Sequence, residues 1–200
     1  MTMRPQQHVG RHVRAIPVLE WPRDAVTSRS LDHGFAEVAG IQDDELPVLL
    51  DMHFAPLRER GQAIRDSAPL FGGLILEVDS TPRIYPQCCG DLSDVASWLD
   101  PDYSHSGRAF VATAGHPSPQ VLREDDMVRL VCTDEDEPFH PLVDRDVVVP
   151  AVSLRAAVAS ALEQLAVFAK RLERISIVRA HPGLAWTLAG RPDLARKDAH

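Results

Sequence analysis

The chain has 200 residues, of which 44% are hydrophobic and 25% charged, so it can bury the core of one domain. Its formal net charge of −8 argues against general binding to nucleic acid or to anionic membrane surfaces, and no uninterrupted apolar run approaches a membrane span. Three cysteines without framework spacing and an N-terminus lacking an apolar signal segment predict the reducing cytoplasm. Arginine far outnumbers lysine, which is typical of bacterial genomes rich in G and C.

Residues 1–14 are polar and predict a flexible arm. The apolar run 15–21 predicts a strand, and Pro17 places that strand at a sheet edge because proline cannot donate to a ladder. Ser30 predicts the N-cap of a helix over residues 31–38 that ends at Gly40. A second helical block is expected over residues 43–66, with Pro56 kinking or dividing it. Its apolar face comprises Leu46, Leu49, Leu50, His53, Phe54 and Leu57, and we expect His53 to be a hydrogen-bonded core histidine.

Residues 70–99 contain the most distinctive pattern in the chain. Alternation over residues 74–78, turn residues at 79–82 and a short run at 83–85 stopped by Pro86 predict a β-hairpin. Residues 91–99 predict a helix that carries Asp91 in its first turn and includes Trp98. The sequence Pro86–Gln–Cys–Cys–Gly90 joins the hairpin to this helix.

The adjacent cysteines Cys88 and Cys89 allow three interpretations. They can be small hydrophobic residues at the junction, one pointing inward and one outward, and this scaffolding role is the one we prefer. They can be metal ligands, although zinc sites use two intervening residues so that both thiolates face one ion. They can also provide a reactive thiol near a helix N-terminus, which Asp91 and Asp94 would oppose.

Three alternating runs, at residues 108–113, 120–123 and 127–132, predict an antiparallel meander. With the hairpin, they predict an α+β fold built on one antiparallel sheet of about five strands. A long helix from about residue 151 to 173 carries an apolar stripe and is expected to cover the sheet, together with the N-terminal helices. Residues 147–150 and 175–178 predict further short strands. We expect a single domain over residues 15–178 and a C-terminal tail over 179–200.

Acidic residues are concentrated between the third meander strand and the long helix. The densest cluster is Asp134, Glu135, Asp136 and Glu137. It lacks the central glycine of an EF-hand loop, so calcium binding by that motif is not expected. The cluster predicts either a solvated loop or a surface that attracts a basic protein.

No familiar catalytic motif is present in the sequence. A Cys–His pair can be composed from Cys88 or Cys89 with His116, oriented by Asp91, Asp94 or Asp102. Because the chain has nine histidines and many acids, such a trio has little specificity. His116 in Gly–His–Pro is equally consistent with a tight turn.

The pattern Pro-x-Cys-Cys-Gly-Asp-Leu at 86–92, followed by Trp98 and by Gly–His–Pro at 115–117, resembles small bacterial proteins of unknown function. Some of these resemble immunity proteins encoded beside polymorphic toxins. The resemblance covers residues 74–132 and implies a cytoplasmic protein that binds a partner protein, such as a toxin or another basic protein.

Two functions are therefore expected as alternatives. The first is a non-catalytic interaction module without a cofactor or bound metal, which uses the acidic loop, Cys88, Cys89, Asp91, Trp98 and His116 as its surface. The second is a thiol- or zinc-dependent enzyme or metal-binding protein centred on Cys88, Cys89 and His116, with Cys132 or His140 as further ligands. The sequence gives no oligomeric state and no substrate.

Overall fold

The fold is described from a computed structural model of the chain. It describes residues 8–21, 30–31, 34–99, 109–111, 113, 115–133, 137–141 and 146–195. Within these residues the strands form two five-stranded sheets. The α+β class predicted from the sequence is confirmed. The hairpin and the meander, expected in one sheet, lie in separate sheets.

The first sheet has the order β3-β4-β2-β5-β6 and is antiparallel throughout. Its strands are β2 (Val13–Glu20), β3 (Ser30–Leu31), β4 (Phe35–Glu37), β5 (Gly72–Val78) and β6 (Thr81–Ile84). The predicted hairpin is confirmed as β5–β6. Asp79 and Ser80 form its two-residue turn with φ of 51° and 62°, which is the left-handed geometry that tight hairpins require.

Strand β2 is central in this sheet, so the edge position predicted from Pro17 is wrong. Pro17 pairs with Leu74 of β5, whereas β4 pairs only with residues 18–20 of β2. One side of β2 is therefore uncovered at Pro17, and no ladder hydrogen bond is lost there. The helix expected over residues 31–38 is also wrong, because Ser30–Leu31 and Phe35–Glu37 are strands followed by a 3₁₀ turn at Val38–Gly40.

The second sheet has the order β1-β10-β9-β8-β7. Its strands are β1 (His8–Val9), β7 (Ala109–Val111), β8 (Gln120–Glu124), β9 (Met127–Val131) and β10 (Asp146–Pro150). Strands β7, β8 and β9 form the predicted meander. Strand β1 pairs in parallel with β10, so the predicted flexible arm is wrong for residues 8–14. Residues 1–7 lie outside the described residues.

The helices are α1 (Leu46–Glu59), α2 (Asp94–Ser97), α3 (Ala151–Leu172), α4 (Ser176–Arg179), α5 (Leu184–Leu188) and α6 (Pro192–Ala195). Helix α1 contains Pro56 and occupies part of the predicted block 43–66, which ends in a 3₁₀ turn at Ile64–Asp66. Helix α2 is shorter than the predicted helix over 91–99. Residues 176–179 are helical, not the strand suggested by their apolar pattern.

One hydrophobic core connects α3 to both sheets. Helix α3 packs on β2 of the first sheet and on β9 and β10 of the second. Its buried stripe comprises Ala151, Leu154, Val158, Ala161, Leu165, Phe168, Ala169 and Leu172. Helix α3 is long and apolar enough to cross a membrane by length and composition alone. These features are weak evidence for a membrane span, because the core helix of a soluble protein has them too.

The predicted C-terminal tail is wrong for residues 179–195, which form the end of α4 and helices α5 and α6. Leu184, Trp186 and Leu188 are at most 5% exposed and belong to the main core. The Leu70 amide donates to the Leu188 carbonyl at 3.0 Å, so this segment is also tied to the start of β5. Folded structure therefore extends beyond residue 178, to residue 195.

Candidate functional site: a pocket where the two sheets meet

A pocket of about 450 Å³ opens where one end of each sheet meets the other. The first sheet contributes the end of β2 and the beginnings of β4 and β5. The second contributes the segment before β8 and residues 137–141, which follow β9. The lining residues are Glu20, Phe35, Gly72, Pro86, Gln87, Cys88, Gly90, His116, Pro117, Glu137, Pro138, His140 and Pro141.

The segment that carries the cysteines joins the first sheet to the second. Cys88 and His116 form an isolated antiparallel bridge, in which the His116 amide donates to the Cys88 carbonyl at 3.0 Å. Gly115 permits this close approach, because a Cβ there would lie 3.1 Å from the Cys88 carbonyl oxygen. The structure thus brings together Cys88 and His116, which are 28 positions apart in sequence.

Gln87 fixes the opposite wall of the pocket. Its side-chain Nε2 donates to the His140 carbonyl at 3.1 Å, and its Oε1 accepts from the His140 amide at 2.9 Å. Nε2 also donates to the Tyr85 carbonyl at 3.0 Å. The peptide bonds His116–Pro117 and His140–Pro141 are both cis, and both pairs line the pocket.

The two thiols lie side by side on the surface. Cys88 and Cys89 are both exposed, and their Sγ atoms are 3.3 Å apart. Cys89 has φ of 66°, a left-handed conformation that is uncommon for a residue other than glycine. The predicted arrangement, with one cysteine pointing inward and one outward, is therefore wrong.

The electrostatic environment of the thiols is negative. The pKa of Cys88 is raised from its ordinary value, first by the hydrogen bond with Cys89 and then by the charge of Cys89. Desolvation and the charges of Glu137 and Glu20 raise the pKa further. The described residues that line the pocket include neither lysine nor arginine. This environment disfavours the thiolate form of Cys88.

The other residues predicted for the site have separate roles. Asp91 caps a local turn, because its Oδ1 accepts from the Ser93 amide at 2.7 Å and from the Ser93 hydroxyl. Trp98 is 2% exposed and contributes to the core, away from the main pocket. Glu137 lines the pocket, whereas Asp134, Glu135 and Asp136 lie outside the described residues.

Three lining residues were missed by sequence reasoning: Glu20, Phe35 and Gln87. Glu20 and Phe35 occupy the ends of strands whose sheet order could not be inferred. Gln87 stands beside the cysteines, but its partner is 53 positions away. Of the additional ligands considered, His140 lines the pocket and Cys132 is buried in the core.

The described part of the chain contains no group of three His, Cys, Asp or Glu side chains arranged to hold a metal ion. His53, which was expected to be a hydrogen-bonded histidine, lies within hydrogen-bonding distance of the Ser67 hydroxyl at 2.9 Å and the Ala68 carbonyl at 3.1 Å. It lies on α1 and does not line the pocket.

Comparisons of this chain with protein-family models, with curated proteins and with solved structures gave no match. The pocket is therefore interpreted from its own chemistry.

Proposed function

We propose that this protein is a non-catalytic interaction module that binds a positively charged segment of a partner protein in the pocket between the two sheets. The observation that carries the proposal is the charge of the lining. Glu20 and Glu137 line the pocket, and its described lining residues include neither lysine nor arginine. An arginine or lysine of a partner would provide the complementary charge.

The shape and rigidity of the pocket support binding of an extended segment. A volume of about 450 Å³ suits one or two side chains. Proline residues at 86, 117, 138 and 141 restrict the backbone of the walls. The Gln87–His140 hydrogen bonds further restrict the loop that carries Glu137. Binding a partner at this surface should therefore cost less conformational entropy than binding at a mobile loop, because the walls are already ordered.

The thiol chemistry supports a binding role over nucleophilic catalysis. A catalytic cysteine is a thiolate whose pKa has been lowered by a neighbouring cation or helix N-terminus. Here the thiol of Cys89 and the charges of Glu137 and Glu20 instead raise the pKa of Cys88. The surroundings of Cys88 thus disfavour the thiolate, which supports the binding role.

A peptide experiment tests the charge preference directly. The probe is a fluorescent glycine-rich peptide with two arginines, and its matched control replaces both arginines by neutral citrulline. Exposed ion pairs contribute about 0.2–1 kcal/mol each, so Glu20→Gln/Glu137→Gln should bind the arginine peptide about two- to thirtyfold more weakly. Glu59→Gln removes one negative charge from an exposed position of α1, away from the pocket, and should bind like the wild type. Equal binding of both peptides by the wild type would contradict the proposal.

The immunity-like role implied by the Pro86–Leu92 pattern remains part of this proposal. It predicts that the product of a neighbouring gene, a toxin or another basic protein, copurifies with this chain. Copurification should weaken in Glu20→Gln/Glu137→Gln and persist in Glu59→Gln. A neighbouring product that copurifies equally with both variants would place its binding surface elsewhere.

A thiol-dependent activity is the second candidate, because the fold brings Cys88, Cys89 and His116 to one place. It is tested by the pH dependence of Cys88 alkylation with iodoacetamide, using Cys88→Ser to assign the signal. If the binding proposal holds, the alkylation rate should reach half its maximum at a pH above 9.0, the ordinary pKa of a thiol. A half-maximal rate below about pH 7 would instead indicate an activated nucleophile.

A further inference from the structure

The paired thiols of Cys88 and Cys89 have a geometry that suggests a ligand of their own. Successive side chains in extended chain point to opposite sides. The left-handed backbone of Cys89 changes this arrangement, and the two Sγ atoms lie 3.3 Å apart on the exposed surface. Two sulfur donors are thus presented together before any ligand arrives.

The separation of the sulfur atoms selects among thiophilic ligands. With metal–sulfur bonds of about 2.3 Å, a linear two-coordinate ion places its sulfurs about 4.6 Å apart, and a tetrahedral ion about 3.8 Å apart. A pyramidal centre with bond angles near 90° places them about 3.3 Å apart for the same bond length. The observed 3.3 Å matches the pyramidal case. Trivalent arsenic has this geometry and prefers thiolate ligands.

We infer that Cys88 and Cys89 form a two-sulfur binding site for a monosubstituted trivalent arsenical. Such a compound, R–As(OH)₂ in water, has two exchangeable hydroxyl groups and needs no protein ligand beyond the two sulfurs. Two S–H and two As–O bonds break, while two As–S bonds and two O–H bonds form. Two waters leave, arsenic stays trivalent, and no oxidant or reductant is required.

The pocket beside Cys88 accommodates the substituent on arsenic. Its walls include the ring of Phe35 and several prolines, which provide apolar surface for an organic group. The site is independent of the proposed function, since the arsenical needs the two sulfurs and the arginine peptide needs the carboxylates. The two proposals can therefore fail separately.

Phenylarsine oxide is the probe, and the measurement is mass spectrometry of the folded protein with affinity determined by competition with a small dithiol. We expect one phenylarsenic group per chain with loss of both thiol hydrogens. Because the fold presents the sulfurs together, binding should be at least about tenfold tighter than to a synthetic peptide of residues 85–92. Binding no tighter than to this peptide would overturn the inference.

Variants assign the adduct to the pair. Cys88→Ser and Cys89→Gly should each weaken binding at least about tenfold, because a single thiol cannot hold arsenic through two bonds. Glycine suits the left-handed backbone of residue 89, so Cys89→Gly should fold even if Cys88→Ser does not. Cys132→Ser, at a buried cysteine, is the matched control and should bind like the wild type. Retained affinity in Cys89→Gly would refute the two-sulfur site.

Discussion

Replacing Gln87 with alanine should loosen one wall of the pocket without unfolding the protein. The side chain of Gln87 exchanges two hydrogen bonds with the backbone of His140, at 3.1 Å and 2.9 Å. These bonds connect the segment that follows the hairpin to residues 137–141, which lie between β9 and β10. The Gln87 side chain is half-buried, and the loop that it restrains carries Glu137.

The magnitude follows from the number of bonds lost. A hydrogen bond contributes about 0.5–1.5 kcal/mol net, so two bonds contribute about 1–3 kcal/mol. We expect the loss to act on local opening of the loop that carries His140, so it should appear as faster exchange of the His140 amide rather than as global unfolding. The corresponding increase is about five- to 150-fold in the exchange rate.

Hydrogen exchange followed by NMR measures this effect at single amides. Gln87→Met keeps the length of the side chain but loses both bonds, so it should resemble Gln87→Ala if the hydrogen bonds matter rather than the packing. Gln62→Ala, at an exposed glutamine, should leave the His140 amide unchanged. Unchanged His140 exchange in both Gln87 variants would refute the reasoning.

Three further predictions concern the scaffold. In urea denaturation Arg129→Ala should lower the free energy of unfolding by about 1–3 kcal/mol, more than Asp146→Ala, because it leaves the buried Asp146 carboxylate without the half-buried guanidinium that donates to it at 2.9 Å. Burial lowers the pKa of His53 below 6.5, so the free energy of unfolding should fall as the pH drops through 6.5 toward that pKa, with a smaller slope in His53→Gln. Gly72→Ala should lower stability by about 1–3 kcal/mol in the same assay, because φ is 150° and the new Cβ would overlap the Val18 carbonyl oxygen; stability equal to the wild type would contradict this.

The local elements were largely predictable because their signals lie within short windows. The β5–β6 hairpin follows from alternating residues around the turn at Asp79, and α3 follows from an apolar stripe at helical spacing. The meander likewise follows from alternation. Each of these elements pairs or packs with neighbours that are close in the chain or presents one continuous face.

Long-range placement was not predictable from the same signals. Pro17 suggested an edge strand, but whether β2 is covered at that residue depends on where the antiparallel β4 ends, at Glu37, 20 positions later. Residues 184–188 form a helix too short for its periodicity to be distinctive, although Trp186 is buried. The pocket could not be predicted for the same reason, since Gln87 and His140 come together only through the arrangement of the two sheets.

The corner at Cys89 is the place where the local sequence disagrees most clearly with the backbone. A left-handed residue other than glycine costs about 1–2 kcal/mol, and Cys89 has φ of 66°. Glycine adopts this conformation without strain and would satisfy the backbone at residue 89. The thiol of Cys89 is exposed and its hydrogen bond with Cys88 lies on the surface, so we expect the fold to gain little from a thiol at residue 89. Cys89→Gly should unfold at a higher urea concentration than the wild type while losing the phenylarsenic adduct, whereas Cys88→Gly should gain no stability. If Cys89→Gly were instead strongly destabilised, the thiol would belong to the scaffold and the case for a ligand site would be lost.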